Sequence, residues 1–69
     1  MALKRINLKI FRIRRNMTQD DMARRIGCDR ATYSAVETGA RNPSIEFFMD
    51  LQTAFDVPDE EMWGLTRLE

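Results

Sequence analysis

The chain has no histidine and only one cysteine. Without histidine it lacks the commonest general base and metal ligand. One cysteine makes neither an internal disulfide nor a structural zinc site. Three glycines and two prolines leave no glycine-rich loop to cradle a phosphate. No run of eighteen apolar residues offers a membrane span. The start, Met1 to Arg5, lacks the apolar stretch of a signal peptide. No repeat, linker or low-complexity tract is visible. Formal net charge is zero, which argues against indiscriminate binding to polyanions. These absences predict a cytoplasmic protein that is not an enzyme, holds no metal and needs no cofactor.

The 69 residues, 43% of them hydrophobic, suit one domain over 1–69 with one small core. A chain this short is marginally stable alone, and an oligomeric interface would help it. The charge is unevenly spread. Residues 1–30 carry nine cations and three carboxylates, whereas residues 31–69 carry two cations and eight carboxylates. The halves are therefore +6 and −6. A molecule polarised in this way can press one face onto phosphates while the other is repelled.

The stretch Gln19–Thr38 is the most informative. Small or apolar residues fall at Met22, Ala23, Ile26, Cys28, Tyr33 and Val36, with Gly27 among them. That spacing predicts two short helices crossed steeply. Ala23 lies where they come closest, and Gly27 ends the first in a left-handed turn. The pattern is that of a DNA-reading helix-turn-helix over 19–38, with the recognition helix at 29–38.

Three further helices are expected around this pair. The first runs from about Asn7 to Arg15, with Leu8, Phe11 and Arg12 on one face and Asn16 as its left-handed end. The second is capped by Thr18, with Asp21 completing a capping box and Met17 and Met22 a hydrophobic staple. The third runs from an Asp29 cap to Thr38 and stops at Gly39. The fourth opens at Pro43-Ser44 with Ser44 as cap, and Ile45, Phe48, Leu51, Ala54 and Phe55 face inward. The last is a short turn from Pro58 to Trp63, whose acids Asp59, Glu60 and Glu61 crowd its positive end. The termini, Ala2 to Ile6 and Leu65 to Leu68, alternate enough to fit either irregular ends or a short two-stranded ribbon.

From Leu8 to Trp63 the sequence resembles the lambda-repressor-like, XRE-type helix-turn-helix family. The matching pieces are Met17-Thr18-Gln19, Met22-Ala23, Ile26-Gly27, Tyr33-Ser34, Val36-Glu37-Thr38-Gly39, Asn42-Pro43-Ser44 and Glu61-Met62-Trp63. The resemblance implies an all-α fold of five helices, with the third lying in the major groove of double-stranded DNA. It also implies a homodimer, since most family members bind that way. Four departures stand out. Asp56 sits where glycine is usual, Gln52 where a small apolar residue is usual, and Ile10 and Ile13 where polar residues are common. The isoleucines suggest apolar surface covered by the termini or by a second subunit.

With Tyr33 and Val36 packed inward, Arg30, Ala31, Ser34 and Ala35 turn outward, the four positions that face the bases in the family's docking mode. Arg30 suits a forked pair of bonds to guanine, worth about 1–3 kcal/mol of discrimination. Gln19 bonds a phosphate in the family, and Thr32, Thr38 and Arg41 are further phosphate candidates. Family members pair the arginine at Arg12 with the glutamate at Glu37, which implies a structural salt bridge. Cys28 is read as a core filler, since the family has a small apolar residue there. Its place before a helix N-terminus would otherwise suit a low-pKa redox thiol. Met62, Trp63 and Leu65 are the expected dimer interface, because the acidic C-terminal region is kept away from DNA.

These residues together predict a repressor that binds a palindromic operator as a homodimer. The alternative is a protein-interaction module, such as an antitoxin that meets a toxin or a coactivator-type adaptor, built on the same fold.

Overall fold

The computed structural model describes residues 3–69. The part of the expected ribbon that falls on Ala2 lies outside them. Five helices follow one another: α1 (Ile6–Arg14), α2 (Gln19–Ile26), α3 (Arg30–Glu37), α4 (Ile45–Phe55) and α5 (Asp59–Thr66). The described residues hold no strand, and the five-helix all-α order is the one the resemblance implies.

Local chemistry sets the helix limits. Asn16 (φ 54°) ends the first helix in the left-handed region. Thr18 Oγ1 accepts from Asp21 N at 3.1 Å and Asp21 Oδ2 accepts from Thr18 N at 2.9 Å, closing the capping box at α2. Gly27 (φ 93°) terminates α2. Asp29 caps α3 through Thr32 N at 2.7 Å, and Ser44 caps α4 through Phe47 N at 3.0 Å. Caps of this kind contribute about 1 kcal/mol each. Asp56 (φ 51°) takes the left-handed conformation at the end of α4.

The core joins Leu8 of α1, Met22, Ala23 and Ile26 of α2, Tyr33 and Val36 of α3, Phe47 and Leu51 of α4, Val57, and Met62 of α5. Ala23 is buried in the α2–α3 crossing. Phe11 meets Phe55 edge-on at 5.3 Å, and Tyr33 stacks on Phe47 at 6.2 Å.

Several expectations are corrected. Phe47 is the fully buried phenylalanine at the start of α4, with Phe48 half-buried against the core beside it, and Ile45 is 79% exposed rather than inward. Phe47 and Leu51 sit four residues apart on the same face, and that face rotates Ile45 into solvent. The last helix continues three residues past Trp63, to Thr66. Gln52 keeps its amide hydrogen-bonded to Val57 O at 3.0 Å and also to Asp59, so a polar residue is tolerated by bracing the α4–α5 corner. No ladder forms between the described ends. A single rung joins them, Lys4 N to Glu69 O at 2.9 Å and Glu69 N to Lys4 O at 2.8 Å. This is one hydrogen-bonded pair of an antiparallel ribbon.

Arg5 closes the bundle from inside, at 3% exposure. Its Nε donates to Thr66 O at 2.8 Å, and Nη1 to Val36 O at 2.7 Å and Arg41 O at 2.9 Å. Nη2 donates to Asn42 Oδ1 at 3.2 Å. Burial lowers its pKa, and oxygens at the C-terminal ends of α3 and α5 compensate the charge.

Candidate nucleic-acid interface

The turn between α2 and α3 is short because Gly27 and the Asp29 cap reverse the chain within three residues. It leaves the N-terminal half of α3 uncovered. Arg30 and Ala31 are exposed, and Thr32, Ser34 and Ala35 are half-buried beside them. Tyr33, Val36 and Glu37 are buried on the opposite side. The outward strip Arg30, Ala31, Ser34 and Ala35 is thus narrow, shallow and unencumbered by large side chains near the backbone.

One buried carboxylate holds this helix in place. Glu37 accepts from Arg12 Nε at 2.9 Å through Oε2 and from Arg12 Nη2 at 3.1 Å through Oε1. Gln19 Nε2 donates to the same Oε1 at 3.3 Å, and Arg12 Nη1 donates to Met17 O at 2.9 Å. The fork registers α1, the start of α2 and the end of α3 against one another. Burial alone would raise the Glu37 pKa, but the hydrogen bonds from Arg12 and Gln19 outweigh it and hold it below the usual carboxylate value. The Tyr33 hydroxyl is buried without a hydrogen-bond partner among the described residues. Burial first, then the nearby Glu37 carboxylate, pushes its pKa up.

The other expected phosphate contacts differ in how they are held. Gln19 is half-buried with its amide on Glu37. Thr32 gives its backbone N–H to the Asp29 cap. Thr38 turns its hydroxyl back onto Ser34 O at 2.9 Å. Arg41 is exposed, and its backbone is pinned from Arg41 N to Ala35 O at 3.1 Å.

The structure also redistributes the charge counted from sequence. Arg5 and Arg12 are spent inside the fold. Arg15 lies over the Phe11 ring at 3.4 Å, and Arg25 donates to Ala54 O at 3.0 Å with its guanidinium 4.7 Å from the Phe55 centroid. Arg24 pairs with Asp20.

Cys28 is half-buried against the core. Burial, then the Asp29 carboxylate, pushes its thiol pKa up. Its surroundings are those of a packed thiol and unlike those of a reactive one.

Met62, expected at the dimer interface, is completely buried in the core of its own chain and has no side-chain surface for a partner. Its neighbour Trp63 is 75% exposed, and Leu65 is half-buried. Among the described residues no helix is long and apolar enough to cross a membrane, and no three His, Cys, Asp or Glu side chains gather as metal ligands.

Two residues with structural roles escaped the sequence. Arg5 carries no local signal, since all its acceptors lie more than thirty residues away. Phe47 had one: its i, i+4 spacing to Leu51 competes directly with that of Phe48.

Comparison with known proteins gives this geometry a family. The family described as "Helix-turn-helix" matches residues 8–62. An uncharacterized HTH-type transcriptional regulator of Archaeoglobus fulgidus is 34% identical, covering 86% of this chain and 94% of its own length. One of Methanocaldococcus jannaschii is also 34% identical, covering 81% of this chain and 85% of its own. A third, YqaE of Bacillus subtilis, is 35% identical over 74% of this chain and 44% of its own. No solved structure matches the chain significantly. On the helix order, the α2–α3 crossing and these matches, the chain belongs to the lambda-repressor-like, XRE-type helix-turn-helix family of DNA-binding transcriptional regulators.

Proposed function

We propose that the chain is a repressor that binds a palindromic operator as a homodimer, acting in the cytoplasm with α3 in the major groove. The observation that carries this reading is the uncovered strip Arg30, Ala31, Ser34 and Ala35 on a helix locked by Glu37. Arg30 reads guanine through its fork, while the Ala31 and Ala35 methyls meet thymine methyls and let the backbone approach. Ser34 adds one hydrogen bond. Gln19, Thr32, Thr38 and Arg41 hold phosphates and fix register without reading sequence. For Gln19 the Glu37 contact pre-aims the amide, and the amino end of α2 adds free N–H groups.

Pairing of two copies runs through exposed Trp63, while half-buried Leu65 lies on the other side of α5, beside Ile10 and Phe11. Met62 supports that surface from beneath. Two recognition helices about 34 Å apart would read half-sites one helical turn apart.

The experiment is selection of bound sequences from a random DNA pool at near-physiological salt. An enriched inverted repeat, with half-sites about one helical turn apart, supports the dimeric reading and supplies the operator. Repression then requires that a reporter carrying this site between promoter and gene be silenced. No enrichment from a folded protein would refute sequence-specific reading and turn attention to a protein partner.

A further inference from the structure

The molecule leaves two apolar faces uncovered, and they carry rims of opposite charge. On α1, Ile6, Ile10 and Ile13 are 44%, 41% and 52% exposed. At ~100° per residue they fall within ~60° of one another, directly opposite buried Leu8. Lys9 flanks this seam on one side and Arg14 on the other, α1 contains no acid, Glu61 of α5 borders the seam near Ile10 and Arg14, and neither cation is in an ion pair among the described residues. The described termini do not cover it.

The second face belongs to α4 and α5. Ile45 and Met49 stand one turn apart and exposed, and Phe48 lies against Trp63 with ring centroids 6.2 Å apart. Between Ile45, Phe48 and Trp63 runs an apolar groove of about 320 Å³. Glu46 and Asp50 line one edge one turn apart, and Glu60 stands one turn before Trp63. This face is again an apolar seam between charged rims, here acidic.

We infer that the α1 seam of one copy docks on the α4–α5 face of a second copy, Lys9 and Arg14 facing the acidic rim. The inference rests on the dimer reading above and names what Trp63 meets. A two-fold arrangement makes the α1-to-α4–α5 contact twice, since each copy carries both halves. The apolar seams supply the burial, and the rims select the pairing.

The test uses the full chain without DNA, followed by analytical ultracentrifugation and by fluorescence of Trp63, the sole tryptophan. K9E/R14E and E46K/D50K each place like charges across the contact. Each variant alone is expected to weaken self-association roughly tenfold or more. An equimolar mixture is expected to associate again, with a blue shift of Trp63 emission, because the reversed rims match in both contacts of the mixed dimer. If the wild-type chain dimerises and neither reversal weakens it, the inference is overturned while the dimer reading stands. If both variants fold by circular dichroism, lose self-association and fail to pair when mixed, the inference is likewise overturned. A wild-type chain that stays monomeric at ~100 µM, where even a weak dimer would form, refutes both. Should a reversal unfold the chain, Ile10→Ser and Met49→Ser carry the same test, each expected to weaken the dimer and each overturning the inference if it does not.

Discussion

Glu37 is a carboxylate held at 4% exposure by partners from two other helices. Removing one member of such a pair strands the other in a poor solvent. Arg12→Ala and Glu37→Ala are each expected to cost about 3–5 kcal/mol, and the double variant much less than their sum. Additive costs in urea unfolding would show that the two residues act independently. The same group sets an acid limit. Its folded pKa lies below its unfolded value. The stability it contributes is therefore fully present above the ordinary carboxylate pKa of about 4.3 and is lost as pH falls through the lower, folded value. Melting curves at pH 7 and pH 3 should show Glu37→Gln losing less stability on acidification than the parent. Arg30 is the contrasting residue, exposed and without a side-chain partner among the described residues. Arg30→Ala should leave the melting temperature unchanged and relax preference at one base pair by about 1–3 kcal/mol. Competition binding against a set of single-base operator variants measures this directly.

Two helices end in left-handed glycines, yet the glycines are held for different reasons. At Gly27 a Cβ would meet nothing within 4 Å. Gly27→Ala is charged only with its backbone conformation, about 1–2 kcal/mol. At Gly39 (φ 84°) a Cβ would lie 2.2 Å from the Leu3 carbonyl oxygen. Gly39→Ala must displace the backbone at Leu3 as well, and is expected to destabilise clearly more than Gly27→Ala in thermal melts. Equal losses would mean that the backbone at Leu3 yields freely. Helix limits of this kind were legible in the sequence because a cap, a capping box or a left-handed residue is a local device. Thr18 with Asp21, Asp29, Ser44, Asn16 and Gly27 each act within a few residues. The inward face of α4 was less legible, since adjacent Phe47 and Phe48 offer the same side chain to two rotations of the helix. Only packing against Tyr33 and Leu51's neighbours decides between them. The outward strip of α3 follows from Tyr33 and Val36 facing in, so its placement could be read from sequence. The occupation of Gln19 by Glu37 could not.

At the scale of the whole molecule, Arg5 acts as an internal rivet among α3, α5 and the turn at Arg41 and Asn42. Its planar fork spreads donors over four acceptors, a geometry that an ammonium group does not reproduce. Arg5→Lys should therefore lose most of what Arg5→Met loses in unfolding free energy, although it retains the charge. Full rescue by lysine would reduce the role of Arg5 to charge alone. Nothing in the sequence announced this residue, because its acceptors are brought together only when the bundle closes. The polarity of the chain survives folding in altered form. Arg5 and Arg12 are taken into the interior, so two fewer cations of the first half remain to face phosphates than the composition suggests.

The reciprocal hydrogen bonds between Lys4 and Glu69 make the described chain more nearly a ring than a string. In a linear chain, α1 and α5 meet only after the whole intervening sequence has been gathered in, which makes theirs the slowest loop to close. Joined through a short covalent bridge at that rung and opened elsewhere, the same helices would be neighbours along the chain as well as in space. Their pairing would change from the last contact to form into one of the first, with the helix-turn-helix left as it is.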